Sequence, residues 1–184
     1  MPARDTLIEE LRRHALVIGE VTLTSGRTAS YYIDAKRAIL RRPGFAALGE
    51  LVASYAHEWE ATAVGGLTMG ADAPACAALA GGADVKAFFV RKETKPHGLQ
   101  RRVEGPPLRP GERCLVVEDV VTSGGSALRA IEALRAGGQD ICGVVAVLDR
   151  LAGGGEAIVR AAGGAPYAPL TTIDDVYPDR PDRG

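Results

Sequence analysis

The run Leu115-Val116-Val117-Glu118-Asp119-Val120-Val121-Thr122-Ser123-Gly124-Gly125-Ser126 constrains the fold of this chain more than any other stretch. Its first three residues are apolar and mostly β-branched, as a buried parallel strand requires. From Ser126 to Arg135, Leu128, Ile131 and Leu134 fall at helical spacing, and Gly137-Gly138 ends the pattern. The segment between is therefore a strand-to-helix turn with two carboxylates at its start. Two neighbouring acids on a strand end cannot both point into the core, so at least one is expected to face solvent or a ligand. Glycine lets the backbone approach a ligand closely, and the free N–H groups of a helix start favour an anion. Thr122, Ser123 and Ser126 add hydroxyl donors. Such a turn can hold a sugar, a phosphate and a metal together. A bare Gly-rich turn is more often an ordinary strand–turn–helix capped by Thr or Ser, but the acidic pair tips this one toward ligand binding. It is neither a P-loop, which needs G-x-x-x-x-G-K-[ST], nor a dinucleotide loop, which needs G-x-G-x-x-G.

The rest of the chain repeats the unit. Ala63 to Leu67, Val85 to Val90, Arg113 to Val117 and Ile141 to Leu148 read as strands. Asp72 to Leu79 and 126–136 read as helices, as does a segment opened by Pro43 with Leu48, Leu51, Val52 and Tyr55 inward. The alternation predicts an α/β fold, a parallel sheet flanked by helices. Upstream, Thr6 and Glu9 suggest a capping box for a first helix with Leu7, Ile8, Leu11 and Ile18 on one face, ended by Gly19. Val21 and Leu23, a turn at Ser25-Gly26-Arg27, and Tyr31 and Ile33 read as a small hairpin. Ligands bind beyond the carboxyl ends of strands in such sheets. Leu67-Thr68-Met69-Gly70, Arg91-Lys92, Glu118-Asp119 and Asp149-Arg150 all follow strands, so four strand ends can build one pocket.

At 184 residues the chain fits one domain, 1–184. A net charge of -1 gives no global field for nucleic acid or a membrane surface. There is no apolar run of spanning length and no signal-peptide pattern, so a cytoplasmic protein is expected, with no nucleic-acid or membrane partner. Cys76, Cys114 and Cys142 are far apart with apolar neighbours and read as reduced core residues. The tail from Pro178 reads as loose.

The second constellation is Arg91-Lys92-Glu93-Thr94-Lys95-Pro96-His97-Gly98. The chain has four lysines, and two of them sit here. Most charge runs are solvated surface. This one follows a buried-looking strand and precedes a Gly/Pro-containing loop, 98–111, the closest thing to a flexible region. Arg91 can fork onto phosphate oxygens while the lysines act as point charges. His97 can donate to an oxyanion, whereas His14 and His57 read as structural.

The acidic turn resembles the signature of type I phosphoribosyltransferases, and the basic octet resembles the catalytic loop of the orotate phosphoribosyltransferase family. The likeness extends to Thr22-Leu23-Thr24-Ser25-Gly26-Arg27 and Tyr31-Tyr32-Ile33-Asp34, similar to that family's orotate-facing hood, and to Val147-Leu148-Asp149-Arg150. It covers about residues 6 to 150, in family order and spacing. It implies a type I phosphoribosyltransferase-like sheet with a hood at roughly 1–40 and a core at roughly 43–172.

The resemblance also implies roles. Arg91, Lys92, Lys95 and His97 would contact the pyrophosphate of 5-phospho-α-D-ribose 1-diphosphate (PRPP). Glu118, Asp119, Val120, Val121, Thr122, Ser123, Gly124, Gly125 and Ser126 would hold its ribose and 5-phosphate. Thr122 and Arg150 would contact orotate, and Lys95, His97 and Asp119 would be catalytic. A homodimer with shared active sites is implied, and Mg²⁺ bound mainly through PRPP. The activity implied is transfer of ribose 5-phosphate to N1 of orotate, on the pyrimidine route to UMP. Thr24 and Met69 stand where the family often has lysine. A phosphoribosyltransferase for another base and a non-catalytic PRPP sensor are the alternatives.

Overall fold

The apolar run at 113–121 forms a strand whose side chains alternate between two cores. The computed structural model describes residues 2–22, 28–92 and 102–183. The strands of the main sheet are β3 (Ala63–Leu67), β4 (Lys86–Val90), β5 (Val103–Glu104), β6 (Arg113–Val121), β7 (Asp140–Asp149) and β8 (Tyr167–Thr172). They lie in the order β5-β4-β3-β6-β7-β8. All neighbours are parallel except the β4–β5 pair. Leu115 and Val117 face one core and Cys114 and Val116 the other, and on β7 Val145 and Val147 oppose Val144 and Ala146 in the same way. A strand with helices on both sides must be apolar at every position, which is why β6 reads as an unbroken run rather than an alternating one.

One core is covered by α1 (Ala3–Glu10), α2 (Lys36–Ile39), α3 (Arg42–Glu58) and α4 (Asp72–Ala80), which contribute Leu7, Ile39, Leu48, Val52 and Ala75. The other is covered by α5 (Gly125–Ala136) and α6 (Gly154–Ala161), with Ala127, Ile131, Leu134 and Ile158. A separate hairpin joins β1 (Leu16–Thr22) to β2 (Thr28–Ile33), Leu16 opposite Ile33 and Thr22 opposite Thr28. The Ser25-Gly26-Arg27 turn itself lies outside the described residues.

Several expectations need correction. The first helix does not reach Gly19. It ends at Glu10, passes through a π-helical turn at Leu11–Ala15 and becomes β1 at Leu16. The reason is Val17 and Ile18, whose branched side chains suit pairing with Tyr32 and Tyr31. Ile18 is consequently exposed. Thr6 is no N-cap, because the helix starts three residues earlier; its hydroxyl donates to Pro2 O. Cys76 is exposed on α4, while Cys114 and Cys142 are buried.

The tail is not loose. Arg180 pairs with Asp174 and Asp182, and the Tyr31 hydroxyl donates to Asp182 Oδ2 at 3.0 Å. Asp174 lies on α7 (Ile173–Val176), which opens with a capping box between Thr172 and Asp175.

Candidate active site

The parallel register brings the carboxyl ends of β3, β4, β6 and β7 to one edge of the sheet. Gly66 pairs with Phe89, Gly65 with Val116, and Val121 with Asp149. The segments after these strands therefore lie along a common rim, as their sequence positions suggested.

At its centre the turn after β6 encloses a cleft of about 240 Å³ lined by Glu118, Val120 to Ala127 and Arg129. Gly124 has φ +80°, a conformation that side chains resist, and it immediately precedes α5. No Thr or Ser side chain caps this helix, so the turn is not the ordinary capped kind. Thr122, Ser123 and Gly125 are exposed and Ser126 is partly so. The first backbone N–H groups of α5 and the hydroxyls beside them form an anion cradle. Arg129, one turn into α5, adds a cation there that the sequence reading passed over.

The acidic pair is more enclosed than expected. Glu118 and Asp119 are both buried, and their environments differ. Asp119 Oδ1 accepts from the Val120 N–H at 2.8 Å, and its Oδ2 accepts from Lys36 Nζ at 2.8 Å. Among the described residues, Glu118 Oε2 is buried without a hydrogen-bond partner. Burial pushes the Glu118 carboxyl well above the usual carboxylate range, and the Asp119 charge pushes it the same way. Burial works against the Lys36 ammonium, but the hydrogen bond and attraction to Asp119, with Asp34 behind, outweigh it and hold the group above the ordinary lysine value. Gly70 closes the pair from the β3 side. A Cβ there would lie 2.6 Å from both Asp119 Oδ1 and Glu118 Oε1, so only glycine lets this loop approach. Thr68, in the same loop, donates its hydroxyl to Asp72 Oδ2 at 2.8 Å. Met69 is exposed.

Arg150 sits on the turn after β7. Its backbone N–H donates to Val121 O at 2.9 Å, tying that turn to the turn after β6. Asp149 braces it by accepting from the Leu151 N–H and the Tyr167 hydroxyl, each at 2.7 Å. Burial and the bond to Asp149 push the Tyr167 hydroxyl above its usual range, so it stays a donor. Arg91 pairs with Glu104 at 3.4 Å, and its N–H donates to Arg102 O. Lys92 is exposed. Lys95 and His97 lie outside the described residues, as does Thr24.

Lys36, Gly70 and the Asp149–Tyr167 brace stand outside both sequence motifs. Lysine is scarce, and the rule that singles out Lys92 and Lys95 applies equally to Lys36, a third lysine three residues after the hairpin. The contacts of Gly70 and Tyr167 are made across the sheet and leave no local signal.

A family model described as the phosphoribosyl transferase domain matches residues 38–158. The orotate phosphoribosyltransferase of Corynebacterium glutamicum (strain R) is 48% identical over 175 residues, which cover 95% of this chain and 94% of that protein. That of Mycobacterium avium (strain 104) is 44% identical over 176 residues, covering 95% and 97%. Among solved structures, Mycobacterium tuberculosis H37Rv orotate phosphoribosyltransferase in complex with PRPP superposes with a TM-score of 0.80 at 39% identity, covering 95% of this chain and 99% of that one.

Proposed function

This chain belongs to the orotate phosphoribosyltransferases, within the phosphoribosyl transferase domain family, and on that premise we propose that its cleft transfers ribose 5-phosphate from PRPP to orotate. The reaction joins N1 of orotate to C1 of the ribose and releases pyrophosphate. Its product is orotidine 5′-monophosphate, the precursor of UMP. The observation that carries this reading is the meeting of an acid pair, a hydroxyl-and-glycine anion cradle and the Arg150 turn at one sheet edge.

In this reading the cradle at Val120 to Ser126 holds the 5-phosphate, and Glu118 and Asp119 hold the ribose hydroxyls. Arg91, Lys92, Lys95 and His97 hold the pyrophosphate. Thr122 and Arg150 hold orotate, the arginine forking onto its carboxylate. As the C1–O bond breaks, positive charge builds on the ribose and negative charge on the departing pyrophosphate. Asp119 favours the first and the basic loop the second, and such preorganised charges are usually the largest catalytic contribution. No covalent nucleophile is needed.

The donor set fits a Mg²⁺ carried in by the substrate. A hard cation takes phosphate oxygens and water with few protein ligands, and the cleft offers anion-holding groups beside the unpartnered Glu118 Oε2. Arg91, Lys92, Lys95 and His97 would hold the pyrophosphate that bears it. When bound, the ion neutralises charge on that leaving group. We further propose a homodimer in which each basic loop serves the partner's site, acting in the cytoplasm.

The test is pyrophosphate release from PRPP with orotate, uracil, hypoxanthine or adenine as acceptor. Release with orotate alone is expected. Release with a purine, or tight PRPP binding with no turnover, overturns the reading.

A further inference from the structure

We propose that Lys36 is a positioning residue for the ribose site: it grips one oxygen of Asp119 and leaves the carboxylate in a single orientation toward the sugar hydroxyls. The inference rests on the function proposed above and assigns a role to a residue outside both motifs.

Lys36 Nζ lies 2.8 Å from Asp119 Oδ2 and 3.1 Å from Asp34 Oδ1. The Lys36 backbone N–H also donates to Asp34 Oδ1, at 3.2 Å. One carboxylate thus holds both ends of the lysine. Its neighbours Ala35, Ala38 and Ile39 are buried in the core, so the base of the side chain is fixed as well. The ammonium is presented to Asp119 from a rigid support.

A carboxylate has about four acceptor positions, two on each oxygen. The Val120 N–H takes one on Oδ1 and Lys36 takes one on Oδ2. The neighbouring Glu118 carboxyl takes another through its side-chain hydrogen bond to Asp119, and a ribose hydroxyl can donate to the position that remains. Because both oxygens are already held, the carboxylate pays little ordering entropy when the sugar arrives.

The Lys36 ammonium bonds Asp119 directly, whereas it acts on Glu118 through its charge. Among the described residues, the charged groups that reach the pair are Lys36 and, behind it, Asp34. Among these Lys36 is the sole cation.

The experiment compares steady-state kinetics of the wild type, Lys36→Met and Lys36→Arg, with thermal melting as the check on folding. Met keeps the aliphatic stem and removes the charge. Its kcat/KM for PRPP is expected to fall by about tenfold to a hundredfold, the range for groups that orient the ligands of a site, with KM for orotate nearly unchanged. Arg still reaches both carboxylates and is expected to recover most of the loss. A folded Lys36→Met protein with wild-type kcat/KM for PRPP overturns the inference. Equal losses toward PRPP and orotate, or no recovery in Lys36→Arg, overturn it too. A wild type that fails to turn over orotate and PRPP instead overturns the functional reading beneath it, so the two failures are distinguishable.

Discussion

The Arg150 guanidinium lies over the Tyr31 ring, 5.2 Å from its centroid, and donates to the Tyr31 hydroxyl at 3.2 Å. The hydroxyl in turn donates to Asp182. Tyr31, buried in the hairpin, therefore links the rim of the sheet to the C-terminal segment. Tyr31→Phe keeps the cation–π contact and removes both hydrogen bonds. Stability is expected to fall by about 1 kcal/mol, read as a lower denaturation midpoint, with KM for orotate raised several-fold. An unchanged KM for orotate shows that the hydroxyl does not orient Arg150.

Arg150 itself carries the acceptor assignment. A hydrogen bond to a charged partner contributes about 1.5–3 kcal/mol, so Arg150→Ala should raise KM for orotate by about tenfold or more. The backbone contact from residue 150 to Val121 survives the substitution, so the phosphate cradle should stay intact and KM for PRPP should change little. Equal rises for both substrates would argue against carboxylate recognition by this arginine.

Asp119→Asn removes the charge and leaves the shape. Lys95→Ala removes a cation from the basic loop. Each is expected to lower kcat by about a hundredfold, the usual cost of deleting one preorganised charge at a reacting centre, with a cooperative unfolding transition retained. Near-wild-type rates from either folded variant with orotate and PRPP would remove that residue from the catalytic set.

What could be read from the sequence depended on how local the signal was. The strands of the sheet interior are continuous apolar runs bounded by turn residues, and β3, β6 and β7 appear close to their expected places. The acidic turn was legible because its strand, acids, glycines and helix are consecutive. Elements at the margins were not. β8 contains Pro169, tolerated because this strand is at the sheet edge. β5, α2 and α7 are too short to show a period, and the glycines opening α6 look like a loop. The first helix was extended too far because Leu7, Leu11 and Ile18 mimic a helical stripe across a boundary at which the pairing of β1 with β2 takes over. Lys36 was missed for a different reason. Its partner is 83 residues away, and only the folded sheet brings them together.

The enclosed position of Glu118 has a consequence for stability against pH. In the unfolded chain its carboxyl titrates near the ordinary 4.5, whereas burial and the Asp119 charge raise it in the folded state. Above the unfolded value the folded state binds more protons than the unfolded one, so this group makes stability fall as pH rises toward its folded value. Glu118→Gln has nothing to titrate and should remove that fall. Relative to the wild type, the variant should gain at least about 1 kcal/mol between about pH 4 and about pH 8. Urea denaturation midpoints of the two proteins at both pH values measure it. A difference between them that stays constant with pH would show that Glu118 is not held protonated by its surroundings.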